Sequence, residues 1–437
     1  MSRFGIKRVT FWSVSLLNMI MCLTIAQKAT FENYKVFSIM PTTEIQIKQL
    51  FQMVDNHNGF SFWNMPALNN RTVNLMVAPH VLPLFNEIMA QINISYQINI
   101  ENVQELVDQT MPSNRSTSFD FNNYHTLERI YNNLNDLAKH YPDNVQIIIG
   151  GTTYEGRQIK GVKVSFRANN PGIFIEGGIH AKEWISPATA MYILHQVLTS
   201  NEVDVRALAK SHDWYIFPVF NPDGYVYTHT TNRMWRKNRK LSNSFCIGVD
   251  LNRNWNYKWN YKWNTQTMKN DPCSNNYAGS GPLSEIETKS MSNYIKTISD
   301  KFYAYIAFHC HAQLLLFPYG HRKKHLDNYD ELHAIGLKAI AALKKKYGTE
   351  YQTGNIAEKM YMATGTSVDY IKATYGKQIT YIYELRDRDR YGFLLPPDQI
   401  IPNGEEIMDS LVVMFKEVKA RRNLSIQKFV TISDLLN

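Results

Sequence analysis

The residues that could do chemistry together are concentrated in a few loops. Gly177-Gly178-Ile179-His180-Ala181-Lys182-Glu183-Trp184 directly follows an apolar run, Gly172–Glu176, that predicts a β-strand. If the chain turns there, His180 and Glu183 can reach one point. Imidazole nitrogen and carboxylate oxygen are zinc donors, and a catalytic zinc usually takes three protein ligands and keeps one position open. A His-x-x-Glu pair arises by chance in many chains, so a third donor decides. His309, at the end of Phe302–Phe308, offers one. His311 would share its face if the strand continued, and spacing alone leaves the choice open.

Those loops need a frame to hold them. Short apolar or β-branched runs at Val145–Ile149, Gly172–Glu176, Trp214–Pro218, Phe302–Phe308 and Ile379–Glu384 predict strands. Helical spacing of apolar residues predicts helices over Tyr124–His140, Pro187–Thr199, Ser284–Ile298, Tyr329–Tyr347 and Gly404–Ala420. Apolar strands alternating with helices imply an α/β domain, its mixed, largely parallel twisted sheet covered by helices on both faces. Ahead of it, Tyr34–Met40, Thr72–Ala78 and Ser95–Ile100 predict strands, and Pro41–Val54 and Pro79–Ile92 predict helices. That is a small α+β open sandwich with a core of its own. The polar run Thr110–Ser118 then reads as an exposed linker, in which Arg115 is a candidate target for a trypsin-like protease. The tandem Asn256-Tyr257-Lys258-Trp259 and Asn260-Tyr261-Lys262-Trp263 reads as a loop insertion.

Composition narrows the class. With 437 residues, 44% hydrophobic and 19% charged, the chain is globular, because disorder requires low hydrophobicity and high net charge. Its net charge of +9 is spread among acids, so Arg233–Lys240 and Arg322–His325 read as solvated basic loops and no nucleic-acid partner is expected. At the N-terminus, Arg3, Lys7 and Arg8 precede the apolar run Val9–Ala26, the pattern of a secretory signal peptide cleaved near Ala26 or Gln27. No later stretch is apolar for the 18 residues or more of a membrane span, so a secreted, extracellular protein without stable membrane association is expected. Glycosylation sequons at Asn70, Asn93, Asn114 and Asn423 agree with secretion.

Taken together, the motifs resemble the zinc metallocarboxypeptidases of the pancreatic carboxypeptidase A/B type, made as secreted proenzymes. The resemblance covers nearly the whole chain. It rests on His180-Ala181-Lys182-Glu183-Trp184, Asn221-Pro222-Asp223-Gly224-Tyr225, Arg233-Met234-Trp235-Arg236 and Gly248-Val249-Asp250-Leu251-Asn252-Arg253-Asn254-Trp255. It rests equally on His309 four before Gln313, Tyr361 eight before Asp369, and Glu384-Leu385-Arg386-Asp387 followed by Arg390-Tyr391-Gly392-Phe393-Leu394-Leu395-Pro396.

The resemblance implies roles, residue by residue. His180, Glu183 and His309 become ligands of one zinc ion, with Gln313 fixing the register in favour of His309 over His311. Glu384 becomes the general base and Arg236 the stabiliser of the developing oxyanion. Asn252, Arg253 and Tyr361, the last on a mobile loop, become the holders of a substrate's C-terminal carboxylate. Cys246 and Cys273 match the family's loop disulfide, and Cys310 is expected as a small buried residue. Domain limits follow as a signal peptide at 1–27, an activation propeptide at 28–115 and a catalytic domain at 116–437, expected as a monomer. The specificity pocket would have Val368 at its base with Gly320, Ile356, Ala363 and Ile382 around it, all non-acidic, which implies large apolar C-terminal residues. Two departures stand out: Lys182 replaces the usual arginine, and Cys310-His311-Ala312 replaces small hydroxyls and a tyrosine in the outer groove. The competing expectation is a catalytically weak or silent relative that binds peptides. Retention of all three ligands with Arg236 and Glu384 argues against it.

Overall fold

The computed structural model describes residues 28–54, 59–66, 72–112, 119–241, 245–259 and 270–436. The segment 1–27, Arg115, Asn70, Asn114 and the second tetrapeptide copy lie outside them.

The N-terminal unit runs β1 (Lys35–Ile39), α1 (Glu44–Val54), β2 (Phe60–Phe62), β3 (Val73–Val77), α2 (Leu82–Gln91), β4 (Tyr96–Ile100) and α3 (Val103–Thr110). Its strands form one antiparallel sheet in the order β2-β3-β1-β4. Alternation along the strands splits the unit's apolar side chains between two clusters. Phe37, Ile39, Leu75 and Val77 pack with Leu50, Phe85 and Met89 of the unit's own helices. Val36, Met76 and Ile100 on the other face join the large core of the second unit, together with Trp63, Val103 and Val107. The small unit therefore leans its sheet against the larger one.

The larger unit contains α4 (Leu127–His140), β5 (Val145–Thr152), β6 (Gln158–Val164), β7 (Gly172–Glu176), α5 (Ile185–Thr199), α6 (Val203–Lys210), β8 (Asp213–Phe217) and α7 (Pro222–Thr230). It continues through α8 (Ile286–Thr297), β9 (Phe302–His309), β10 (Leu314–Phe317), α9 (Tyr329–Tyr347), β11 (Gln352–Asn355), α10 (Ile356–Lys359), α11 (Ser367–Tyr375), β12 (Ile379–Glu384) and α12 (Ile400–Leu436). The strand order is β11-β10-β12-β9-β7-β8-β6-β5. β12, β9, β7 and β8 run parallel through the middle, with β10 antiparallel to β12 and β6 antiparallel to β8 at the two ends of that block. The mixed sheet is thus the expected one.

Two layers cover it. Along β9, Ala304, Ile306 and Phe308 enter one core while Phe302, Tyr305 and Ala307 enter the other. The first is closed by α4, α5, α9 and α12, the second by α8 and α11. Local sequence explains the helices. Thr126 caps α4, whose Leu127, Ile130, Leu134 and Leu137 form a single buried stripe. Gly348 ends α9 in the left-handed conformation that favours glycine.

Strands β2, β6, β10 and β11 and helices α3, α6, α7, α10 and α11 add to the predicted elements, and α12 starts four residues before the predicted Gly404–Ala420 and runs well past its end. Pro402 sits in the first turn of α12, where its missing N–H costs nothing. Cys246 and Cys273 are bonded with Cα atoms 4.9 Å apart, and Cys310 is free and buried. Closing that 27-residue separation contributes ~3 kcal/mol in the chain-entropy model.

Candidate active site

The central strands deliver the polar residues of the site from their C-terminal ends. After Glu176 ends β7, Gly177 and Gly178 turn the chain, and Gly178 takes φ +64 with Pro187, Pro218 and Val219 close to where a Cβ would stand. That turn aims His180 inward and brings Glu183 in just before α5. His309 is the last residue of β9 and Glu384 the last of β12, and the two stand side by side in the parallel register. This is where ligands bind in open α/β sheets.

His180 Nδ1 lies 2.8 Å from Glu183 Oε1 and 3.2 Å from His309 Nδ1, and His309 Nδ1 lies 3.3 Å from Glu183 Oε2. The three side chains are buried, and donor atoms from each fall within 4.8 Å of one another. Two imidazole nitrogens facing each other across a buried carboxylate match the donor chemistry of zinc. The far nitrogen of His180 is occupied: Nε2 meets Asp250 Oδ1 at 3.2 Å, which orients the ring and leaves Nδ1 toward the centre. Asn252 Nδ2 stands 3.4 Å from His309 Nε2 in the same supporting position. His311 points elsewhere, packing edge-on against Trp63 and Phe393.

Electrostatics bind this group tightly. Against burial, the His180 and His309 rings hold the Glu183 carboxyl well below the usual carboxylate range. Burial, then Arg236, lowers the pKa of His180, whereas against burial Glu183 raises that of His309. Asp250 is likewise pulled down, against burial, by Arg236, Arg253 and His180. Arg236 donates to Asp250 Oδ2 from Nε at 3.1 Å and from a terminal nitrogen at 2.8 Å, and its other end is 3.6 Å from Glu183. Lys182 is buried with its ammonium 3.8 Å from the centroid of the Phe393 ring, and burial followed by Arg236 pushes its pKa down to about 7.

Next to this centre, Asp250 caps a short turn, Leu251–Arg253. Asn252 Oδ1 accepts from Ser367 N at 2.9 Å, and Arg253 donates to the Tyr361 hydroxyl at 3.0 Å. One cavity wall carries His180, Glu183, His309, Arg236, Asn252, Arg253, Tyr361 and Glu384. Trp63 and its neighbours from the N-terminal unit close the cavity to about 80 Å³. Ile356, Ala363 and Ile382 line the same cavity, whereas Gly320 and Val368, the latter fully buried in the same apolar cluster as Ile356 and Ile382, are not part of its lining. A Cβ on Gly320 would touch Ile356 and Ala363, so these residues also converge. Asp369 lies near them; its two oxygens share the Gly320 N–H at 3.0 Å, and its Oδ2 is also 3.3 Å from His321 Nδ1.

Comparison with known proteins places this geometry. The family described as "Zinc carboxypeptidase" (M14) matches residues 130–410, and "Carboxypeptidase activation peptide" matches residues 37–110. The chain belongs to the M14 zinc carboxypeptidase family. It is 41% identical to zinc carboxypeptidase A 1 of Anopheles gambiae over 94% of this chain and 96% of that one. It is 36% identical to carboxypeptidase A2 of Mus musculus over 94% and 99%. A crystal structure of carboxypeptidase A from Helicoverpa armigera matches 89% of this chain and 98% of its own with TM-score 0.79 at 28% identity. Thrombin activatable fibrinolysis inhibitor matches 88% and 98% with TM-score 0.80 at 30% identity. The carboxypeptidase is therefore a zinc-dependent hydrolase preceded by an activation peptide, and the N-terminal unit over the cleft is that peptide.

Sequence reasoning overlooked Asp250, although it lies two residues before Asn252 inside a quoted motif. It also overlooked Trp63, which nothing in its own stretch sets apart from a core aromatic.

Proposed function

We propose that this carboxypeptidase is a secreted, monomeric zymogen that releases large apolar C-terminal residues from peptides and proteins after cleavage by a trypsin-like protease. Residues 1–27 would be the signal peptide, 28–115 the activation propeptide and 116–437 the catalytic domain. Among the described residues no helix is long and apolar enough to cross a membrane, which agrees with export.

His180, Glu183 and His309 would hold the zinc ion. When bound, zinc supplies Lewis acidity, polarising the scissile carbonyl and acidifying water. Arg253, Asn252 and Tyr361 would fix the free C-terminal carboxylate, the guanidinium offering a planar fork and the others single donors. Glu384, beside His309 in the sheet, would accept the proton of the attacking water and return it to the leaving amine. Arg236 would stabilise the negative charge developing on the carbonyl oxygen, its orientation fixed by Asp250.

The observation that carries this reading is the single cavity wall shared by the metal donors, Arg236, the Asn252–Arg253 turn, Tyr361 and Glu384. For C-terminal preference, the support is the apolar character of Ile356, Ala363 and Ile382 in the cavity and of Val368, buried in the same apolar cluster. A cationic side chain would find no partner there, whereas burying Phe or Leu gains ~1.5–3 kcal/mol, at least about tenfold. The test is tryptic activation of the full chain, then release of Phe, Leu, Arg and Lys from matched peptides with and without a chelator. Chelator-sensitive release of Phe and Leu ahead of Arg and Lys is expected. Faster release of Arg or Lys, or zinc binding with no turnover, would overturn it.

A further inference from the structure

The loop after Glu384 carries two aspartates with opposite fates. Asp387 is spent inside the catalytic unit, accepting from Tyr391 N at 2.8 Å and Gly392 N at 2.9 Å. Asp389 is spent on the activation peptide. Its Oδ2 accepts from the Thr72 hydroxyl at 3.0 Å, its Oδ1 from the side-chain amide of Asn74, and its main-chain carbonyl from that of Asn99. Asn74 is fully buried, so a carboxylate from the enzyme enters a prepared polar spot on the face of the propeptide sheet. When that sheet leaves, Asp389 loses those partners.

It does not face bulk solvent alone. A cavity of about 290 Å³ lies between the two units, and its enzyme side runs from His311 and Tyr361 to Asp389. This space continues outward from the catalytic cavity, since His311, Tyr361 and Met360 line both. The flanking arginines turn to other partners: Arg388, which lines the same cavity, donates to the Glu350 carbonyl at 2.8 Å and lies 3.8 Å from the Glu350 carboxylate, and Arg390 lies over the Tyr391 ring. Lys182 belongs to the inner cavity and does not line this one.

We propose that Asp389 is a specificity-determining residue of the mature enzyme, selecting substrates with a cationic, hydrogen-bond-donating side chain upstream of the scissile bond. The propeptide donors on Asp389 show the chemistry the site accepts: N–H and O–H groups converging on one carboxylate. A lysine side chain adds full charge to such a contact, which strengthens it. The proposal rests on the substrate orientation proposed above, with the C-terminus at Arg253, and not on which C-terminal residue is preferred.

The test uses mature enzyme and peptides sharing one accepted C-terminal residue. Lys, norleucine or Glu is placed in turn at each of the three positions upstream of it. At one position Lys should exceed norleucine in kcat/KM by about three- to tenfold, with Glu slowest. The preference should shrink with added salt. It should vanish in Asp389→Asn and persist in Asp389→Glu, so that a folding defect in one variant is separable from loss of the charge. Equal rates for Lys and norleucine at all three positions in wild type, or an unchanged preference in Asp389→Asn, would overturn the assignment while leaving the exopeptidase reading intact. No release from any peptide would overturn both.

Discussion

The metal centre and the outer groove are neighbours built on different principles. In the centre, the metal donors and Arg236 are held by other groups of the catalytic unit: Asp250 holds His180 and Arg236, and Glu183 Oε2 also accepts from Cys310 N. In the outer groove, the partners come from the removable unit. Trp63 packs on His311 and Phe393, Thr72 and Asn74 meet Asp389, and Gly392 lacks the Cβ that would strike the Trp63 ring. The centre's donors and Arg236 are oriented by neighbouring groups of the catalytic unit, as electrostatic stabilisation of a transition state requires. The groove is a set of unfinished contacts that the propeptide completes first and a substrate second. Chemistry is fixed in one region and selection is exercised in the other.

The sharpest way to break that contrast is at the metal. Replacing His180, Glu183 or His309 by Ala should remove bound zinc and bring turnover to background, whereas His311→Ala should retain zinc, because its ring faces Trp63 and Phe393. Metal analysis of the purified variants checks this. Zinc lost from His311→Ala and retained in His309→Ala would dissolve the distinction between the two regions. Next in size is Arg236→Ala. With zinc still bound, kcat should fall about 100–1,000-fold while KM changes little, the pattern of an interaction made in the transition state. A loss confined to KM would reassign Arg236 to ground-state binding.

How much of this was legible beforehand divides along the same line. His180, Glu183 and His309 stood out as possible metal donors after apolar runs, but only the family motifs chose His309 over His311 and lifted Arg236 out of its basic loop. The fold's parallel block was legible because its strands are continuous apolar runs. The rest was masked for physical reasons. Strand β6 carries Lys160 and Lys163 and a Gly161 packed so closely on Ile216 that no Cβ fits, so it lacks an apolar signature. Strands β10 and β11 have four residues each, too short for a period to show. Asp389 sits in a run of alternating charges, Arg386-Asp387-Arg388-Asp389-Arg390, where sequence shows no reason to single out one acid. Only the partners across the interface do so.

The proposed specificity pocket lies between the two regimes, and Val368→Asp would sharpen its place. If Val368 is the floor of that pocket, an acid there would give a cationic side chain a carboxylate that Val368 cannot offer. Release of C-terminal Lys or Arg relative to Phe should rise by at least about tenfold, read as a ratio of kcat/KM values. An unchanged ratio with zinc content intact would show that Val368 is not the floor of the pocket.

The smallest effect is expected at the border itself, at Lys182. Its neighbours belong to both regions: Glu183 follows it in sequence, and the Phe393 ring beneath its ammonium also contacts Trp63. With the propeptide in place, burial and then Arg236 lower its pKa to about 7. An arginine keeps its charge near neutral pH and lays a flat guanidinium on the same ring. Lys182→Arg should therefore lower KM for peptides of three or more residues by about two- to fivefold, corresponding to ~0.5–1 kcal/mol, and leave kcat alone. Dipeptides, which do not extend along Phe393, should show no change. If the substitution instead altered kcat for dipeptides, Lys182 would belong to the preorganised centre, and the boundary between fixed chemistry and selectable groove would have to be redrawn one shell outward.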